Sequence, residues 1–353
     1  MKVLPAVALT FLALSSAAAQ APTAQQLSRL RLHDGFTLVY QVTVRDVRTP
    51  GLRAKDAADQ QTGIGKMIAA GQIAKSMRDY YEKQALELGA LRPVEQFSIT
   101  LSGRDDKLLY LSTRGATDKK RDTKTAIVLD AEKEYEVDGK TSAMINNDGW
   151  RNAPMYAGEN VDRLAFCPLP GVGLPGVDLI RSPLSAGTAS DGRYLFAGQL
   201  PRLNLLDGDT PYKSGSLEAA LSQGRLKVIT LTVGSPALPQ QVCQIRTSQL
   251  FQGHWVGTQM RLTGYQKALA DASETLSSDL PTYTADYRLV EAQEKSLAAP
   301  AFDAGSYLAP GARVFDDSTG STFAFTYDAR GGTLKEQEAK ALKKESEKGR
   351  PIP

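Results

Sequence analysis

The chain has 353 residues, enough for one large domain or two ordinary ones, and 42% of them are hydrophobic, enough for a real core. A formal net charge of +3 is close to balance and excludes the basic excess that a nucleic-acid or acidic-membrane binder carries in its bulk composition. Two histidines and two cysteines leave too few ligands for an ordinary transition-metal centre.

The N-terminus reads as a secretory signal peptide over residues 1–19. Lys2 supplies the positive charge, and Val3 to Leu14 is apolar apart from Pro5 and Thr10. Ala17-Ala18-Ala19 then forms a small-residue cleavage site. Pro22 disfavours the alternative cut after Ala21, so the mature chain is expected to begin at Gln20. The apolar run is too short to cross a hydrocarbon core of ~30 Å, and no second long run follows. The expectation is an exported, periplasmic or extracellular protein that does not span the membrane.

Alternating strands then dominate. Phe36, Leu38, Tyr40 and Val42 share one face of the first, and Phe97, Ile99 and Leu101 one face of the second. Similar runs are predicted at residues 108–113, 125–129, 134–137, 140–145, 193–198, 225–233, 242–251, 254–262, 283–292 and 323–327. Asp138-Gly139 and Gln252-Gly253 read as hairpin turns, because such turns need positive φ. One helical stretch, residues 54–88, interrupts the strands. Ile73, Met77, Tyr81, Ala85 and Leu88 repeat at helical spacing, and Gly63, Gly65 and Gly71 weaken its first half.

The domain plan is a half-barrel-like β domain over 20–280, holding the 54–88 helix and a Pro/Gly-rich middle at 146–211. Additional C-terminal strands occupy 281–330, and 331–353 is a charged, solvated tail with no apolar stripe. Cys167 and Cys243 both lie in the mature part. A disulfide between them would close a long loop and stabilise by roughly 4–5 kcal/mol in the chain-entropy model. Two separate buried thiols are the other reading, and the sequence leaves both open.

Few motifs carry chemistry. Gly171 to Gly176 fits G-x-G-x-x-G, but Pro168, Pro170 and Pro175 deny it the strand and helix that a dinucleotide site needs. Gly63-Ile64-Gly65-Lys66 lacks both ends of a phosphate loop. His33 adjoins a turn, and His254 shares a strand face with Val256, Met260 and Leu262. Glu134 and Glu136 share a strand face that reads as solvated. No cofactor and no metal are expected, although aspartate-rich turns leave room for an oxygen-only calcium site. The aromatic strands are more suggestive. Phe323, Phe325 and Tyr327 share one face, and Tyr283, Tyr287 and Leu289 another. These six are the candidate apolar ligand-binding residues.

The order of signal peptide, early strand, helix and β meander resembles the LolA/LolB-like lipoprotein carriers of bacterial envelopes. The stretch Lys124 to Ile145, with Asp138-Gly139-Lys140 between strands, is similar to the repeated hairpins of that family. The resemblance covers about residues 36–262 and transfers no individual binding residue. It implies an unclosed half-barrel for acyl chains and a lipid or acylated protein as partner. The fold class expected is therefore mainly β, an antiparallel curved sheet or unclosed half-barrel with a helix packed across it. The function expected first is non-catalytic binding of an apolar or lipid-like ligand, with lipoprotein or lipid carriage implied by the resemblance. A structural or protein-interaction module without a cavity comes second, and a carboxylate-based hydrolase third.

Overall fold

A computed structural model describes residues 35–71, 74–105, 107–114, 124–130, 132–147, 185–190, 193–199, 214–223, 225–235, 238–265, 280–318 and 323–347. The predicted signal peptide, His33, Cys167 and the glycine motif at 171–176 lie outside them.

The strands are β1 (Phe36–Asp46), β2 (Glu95–Arg104), β3 (Lys107–Arg114), β4 (Lys124–Leu129), β5 (Glu134–Asp138) and β6 (Ser142–Asn146). They continue with β7 (Ser185–Ser190), β8 (Arg193–Gln199), β9 (Ser214–Ser222), β10 (Arg225–Ser235) and β11 (Leu238–Phe251). The last four are β12 (His254–Tyr265), β13 (Pro281–Gln293), β14 (Arg313–Asp316) and β15 (Phe323–Thr326). Among the described residues they form one unclosed sheet in the order β15-β14-β6-β5-β4-β3-β2-β1-β13-β12-β11-β10-β9-β8-β7. Every pairing is antiparallel except β14 on β6, which is parallel. The result is mainly β, as the period-two patterning predicts, and an unclosed half-barrel, as the family resemblance implies.

Two features of this order are not visible in the strand pattern. β13 is no C-terminal addition, because it pairs with β1 on one side and β12 on the other and joins the two halves of the chain. β7, β9 and β14 are strands without a prediction behind them. Their sequences, SAGTAS, SGSLEAALS and RVFD, are short, or built of small and polar residues that show no alternation.

The helical stretch is two helices, α1 (Pro50–Ala69) and α2 (Arg78–Gly89). α1 starts earlier than its apolar spacing suggests because of its cap. Thr49 is extended, its hydroxyl accepts the Leu52 N–H at 3.2 Å, and Pro50 occupies the first turn. That start and 20 residues of length carry the helix through Gly63 and Gly65, so the predicted loose first half is continuous helix. The Gly63 to Lys66 segment is therefore helical and forms no phosphate loop.

The charged C-terminal segment also differs from expectation. Leu334–Glu347 forms α3 and buries Leu334, Gln337 and Glu338. Spacing of i, i+3 and i+4 puts these three on one face. Only one is apolar, so a search for an apolar stripe overlooks the face. Thr333 and Glu336 cap the helix reciprocally, each side-chain oxygen accepting the other's backbone N–H at 3.3 and 2.9 Å.

Candidate functional site

Side chains alternate across a strand, so β3 serves two cores at once. Leu108 and Tyr110 face one way and Leu109 the other, and all three are buried.

The first core begins on β1. Phe36, Leu38, Tyr40 and Val42 are at most 1% exposed. The register sets Leu38, Tyr40 and Val42 against Leu101, Ile99 and Phe97 of β2. On the other side Val42 meets Tyr287 of β13, and Tyr287 in turn meets Met260 of β12. Leu262 carries the row on to Cys243 of β11. One apolar face therefore runs without interruption from β11 to β3. Its main polar atom is satisfied within it, since the Tyr40 hydroxyl donates to the Gly257 carbonyl at 2.9 Å. Burial pushes that phenol well above its ordinary pKa, so it stays neutral.

Three of the six predicted ligand residues belong to this face. Tyr287 is 2% exposed, Leu289 is half-buried opposite Tyr40, and Tyr283 is half-buried over Gly264. A Cβ at Gly264 would sit 2.1 Å from the Tyr283 ring, so only glycine admits the ring there. The other three lie elsewhere. Phe323 and Phe325 sit on β15 and Tyr327 just after it, with seven strands between β15 and β13 in the sheet. The Phe323 and Phe325 rings stack at 6.1 Å between centroids. Phe325 and Tyr327 pack into the second core, on the face opposite Tyr110, with Leu109, Val128, Val137, Phe302 and Leu334. The six residues thus divide between two cores. The β1 residues that dominate the first are plain in the alternation of Phe36 to Val42, yet nothing in one strand marks it as central.

α1 and α2 contribute Leu52, Ile64 and Ala85 as buried residues. Around them the hairpin exposes large apolar groups. Met77 is 44% exposed, Tyr80 56% and Leu86 64%, followed by Leu91 and Val94 in the turn before β2. The hairpin base is polar and closed. Arg48, 8% exposed, forks onto Asp46 through Nε at 3.0 Å and Nη2 at 2.7 Å, and reaches Asp56 of α1 through Nη1 at 2.9 Å.

Carboxylates converge under α3 and not on a solvated strand face. Glu134, expected to be solvated, is 3% exposed. On the second-core side, Lys133 donates to Glu338 and, at 2.9 Å, to the Ser318 hydroxyl. Tyr135 donates to Glu338 at 3.2 Å, and Lys335 to Asp130 at 2.8 Å. Burial pushes the Glu338 carboxyl above its ordinary range; Lys133 opposes the shift and the neighbouring Asp316 adds to it. These groups are spent on holding the helix. A cleft of about 100 Å³ beside them is lined by Lys107, Val128, Asp130, Phe302, Asp303 and Lys335 among others. It is well below the ~300 Å³ at which ordinary ligand pockets begin. Among the described residues no group of three or more His, Cys, Asp or Glu side chains could hold a metal ion, and no helix is long and apolar enough to cross a membrane.

The chain matches no known family profile, and no curated protein matches it. Among solved structures it is similar to a LolA superfamily protein from Nitrosomonas europaea, with 9% identity and a TM-score of 0.41, over 80% of this chain and 98% of that one. It is similar to the same degree to a DUF1329 family protein from Desulfovibrio piger, over 80% of this chain and 95% of the other. The first comes from the superfamily that the order of elements resembles. Neither likeness brings a binding residue with it.

Proposed function

We propose that the chain is an exported, non-catalytic envelope protein that holds an apolar, lipid-like ligand against the half-barrel face built on Phe36, Leu38, Tyr40 and Tyr287. The observation that carries the proposal is that face itself. It is continuous over six strands from β11 to β3, and its central phenol is internally satisfied. These four residues are already at most 2% exposed, so an acyl chain would have to displace what packs against them and would then be held by apolar contact, with few specific polar groups. Export rests on Lys2, the short apolar run and Ala17 to Ala19.

A fluorescent fatty acid should bind the protein at about micromolar concentration, and bound lipid should raise the melting temperature by mass action. Leu289→Glu, at a half-buried position on the face, should weaken the probe about tenfold, the cost of bringing a charge beside the chain. Phe325→Glu should instead destabilise the second core and leave probe affinity near wild type in the folded fraction. No probe binding by the wild-type protein, or equal effects of the two variants, would remove the reading.

A protein-interaction module is the second reading. It is favoured by the exposed Met77, Tyr80, Leu86, Leu91 and Val94 around α2, since exposed apolar groups gathered in one region mark contact sites.

A further inference from the structure

The sheet face opposite the β1 apolar row is covered at its β3 to β6 end by residues 299–308 and α3. Over β1, β13, β12 and β11 it is polar and carries arginines. Asp286 of β13 lies at the centre. Arg261 of β12 engages both its oxygens, at 2.7 and 3.0 Å, and Arg45 of β1 adds a contact at 2.7 Å. Arg246 occupies the β11 bulge between Ile245 and Thr247. Its charge adds to those of Arg261 and Arg45 in holding the Asp286 carboxyl below the usual carboxylate range. Arg288, two residues along β13 and so on the same face, is exposed. Asp286 faces four guanidinium groups, and with Glu291 at the edge of the same face the local charge is still +2, on a chain whose whole formal charge is +3. The next carboxylate along this strand, Glu291, lies beyond Arg288 and pairs with Gln293.

We propose that this arginine face docks the protein on an anionic, phosphate-bearing membrane surface. All four cations are arginines, whose planar fork matches phosphate oxygens two at a time. They are spread over four neighbouring strands, about 14 Å across at the usual strand spacing. That is an open array suited to many headgroups and not a pocket for one ion. A peptide cannot add a strand here, because all four strands are interior to the sheet and paired on both sides. The basic field is local, which is why net charge conceals it. The docking goes beyond the apolar-ligand reading and stands without it, since it rests on charge alone.

Vesicle co-sedimentation tests it. Wild-type protein should sediment with phosphatidylcholine vesicles containing about 30% phosphatidylglycerol and not with phosphatidylcholine alone, and salt should weaken the binding. Arg246→Glu with Arg288→Glu reverses two exposed charges and leaves the Asp286 pairs with Arg45 and Arg261 in place. The partition coefficient should fall at least about tenfold, since each basic group near such a surface contributes ~1 kcal/mol. If that variant does not fold, Arg246→Gln with Arg288→Gln decides, with a smaller loss in the same direction. Equal sedimentation with both vesicle types, undiminished binding by the folded variant, or binding to polyglutamate without binding to vesicles would each overturn the proposal. Fatty-acid binding is read without vesicles, so the two readings fail separately.

Discussion

The Tyr135 hydroxyl donates to Glu338 Oε2 at 3.2 Å, joining two residues 203 positions apart. With Lys133 on the same carboxylate and Lys335 on Asp130, it fastens the last helix to the turn between β4 and β5. Beside these polar contacts Leu334, 1% exposed, enters the second core with Val128, Phe302 and Tyr327. The C-terminal segment is therefore structural. Leu334→Ala should cost about 3 kcal/mol in a denaturant titration. Truncation after Gly331 should cost more, because it also strands Lys133 and Tyr135. A truncated protein with an unchanged melting temperature would show that the helix merely rests on the surface.

Gly264 and Gly63 should respond to alanine with opposite signs. At Gly264 the new methyl would meet the ring of Tyr283, its partner directly across on β13, at 2.1 Å. Gly264→Ala should destabilise by about 2 kcal/mol or more. At Gly63, within α1, nothing lies within 4 Å of the added carbon. Gly63→Ala should stabilise by up to about 1 kcal/mol through helix propensity. Melting curves of the two variants, recorded together, check both signs.

The N-cap of α1 offers a smaller test. Thr49 Oγ1 accepts the Leu52 N–H at 3.2 Å. Thr49→Ala should cost about 1 kcal/mol and Thr49→Ser much less, because serine keeps the acceptor. Equal losses in thermal melts would mean that the threonine methyl, and not the cap, carries the effect.

What the sequence reveals follows from how local each signal is. Twelve of the strands stand out because alternation is a property of neighbouring residues, and Phe36 to Val42 shows it plainly. Hairpins such as Gln252-Gly253 are legible for the same reason: Gln252 and Gly253 take φ of 45° and 78° as the tight turn requires. Sheet order is not local. Nothing in Tyr283 to Leu289 says that it lies beside β1, or that Phe325 and Tyr327 lie in a different core with seven strands between. The six aromatic and aliphatic candidates were alike in pattern and unlike in place. α3 is hidden for a related reason, since two of its three buried residues are polar: Gln337 bonds the nearby Asp328 and Gly332, while the partners of Glu338, Lys133 and Tyr135, come from far along the chain.

Asp46 and Arg48 sit at the joint between β1 and the helical hairpin. Asp46 Oδ1 accepts from the Arg48 backbone N–H and from Nε, each at 3.0 Å, and Oδ2 accepts from Nη2 at 2.7 Å and from the Arg92 N–H at 3.3 Å. Burial works to raise this carboxyl's pKa, but the bonds to Arg48 and Arg92 and the guanidinium charge outweigh it and hold it at about 2. Its ordinary value is 3.8, so the folded protein holds the proton less tightly than the unfolded chain. The stability this group contributes is therefore complete above about pH 4 and is lost as pH falls through about 2, a change of roughly 2 kcal/mol. Asp46→Asn should lower stability at neutral pH by a similar amount and flatten the acid limb between those two values. Arg48→Lys should do nearly the same, because an ammonium cannot span both Asp46 oxygens and reach Asp56 together. Urea titrations at closely spaced pH values supply the measurement, and an acid limb in Asp46→Asn as steep as in the wild-type protein would assign the acid sensitivity to other carboxylates.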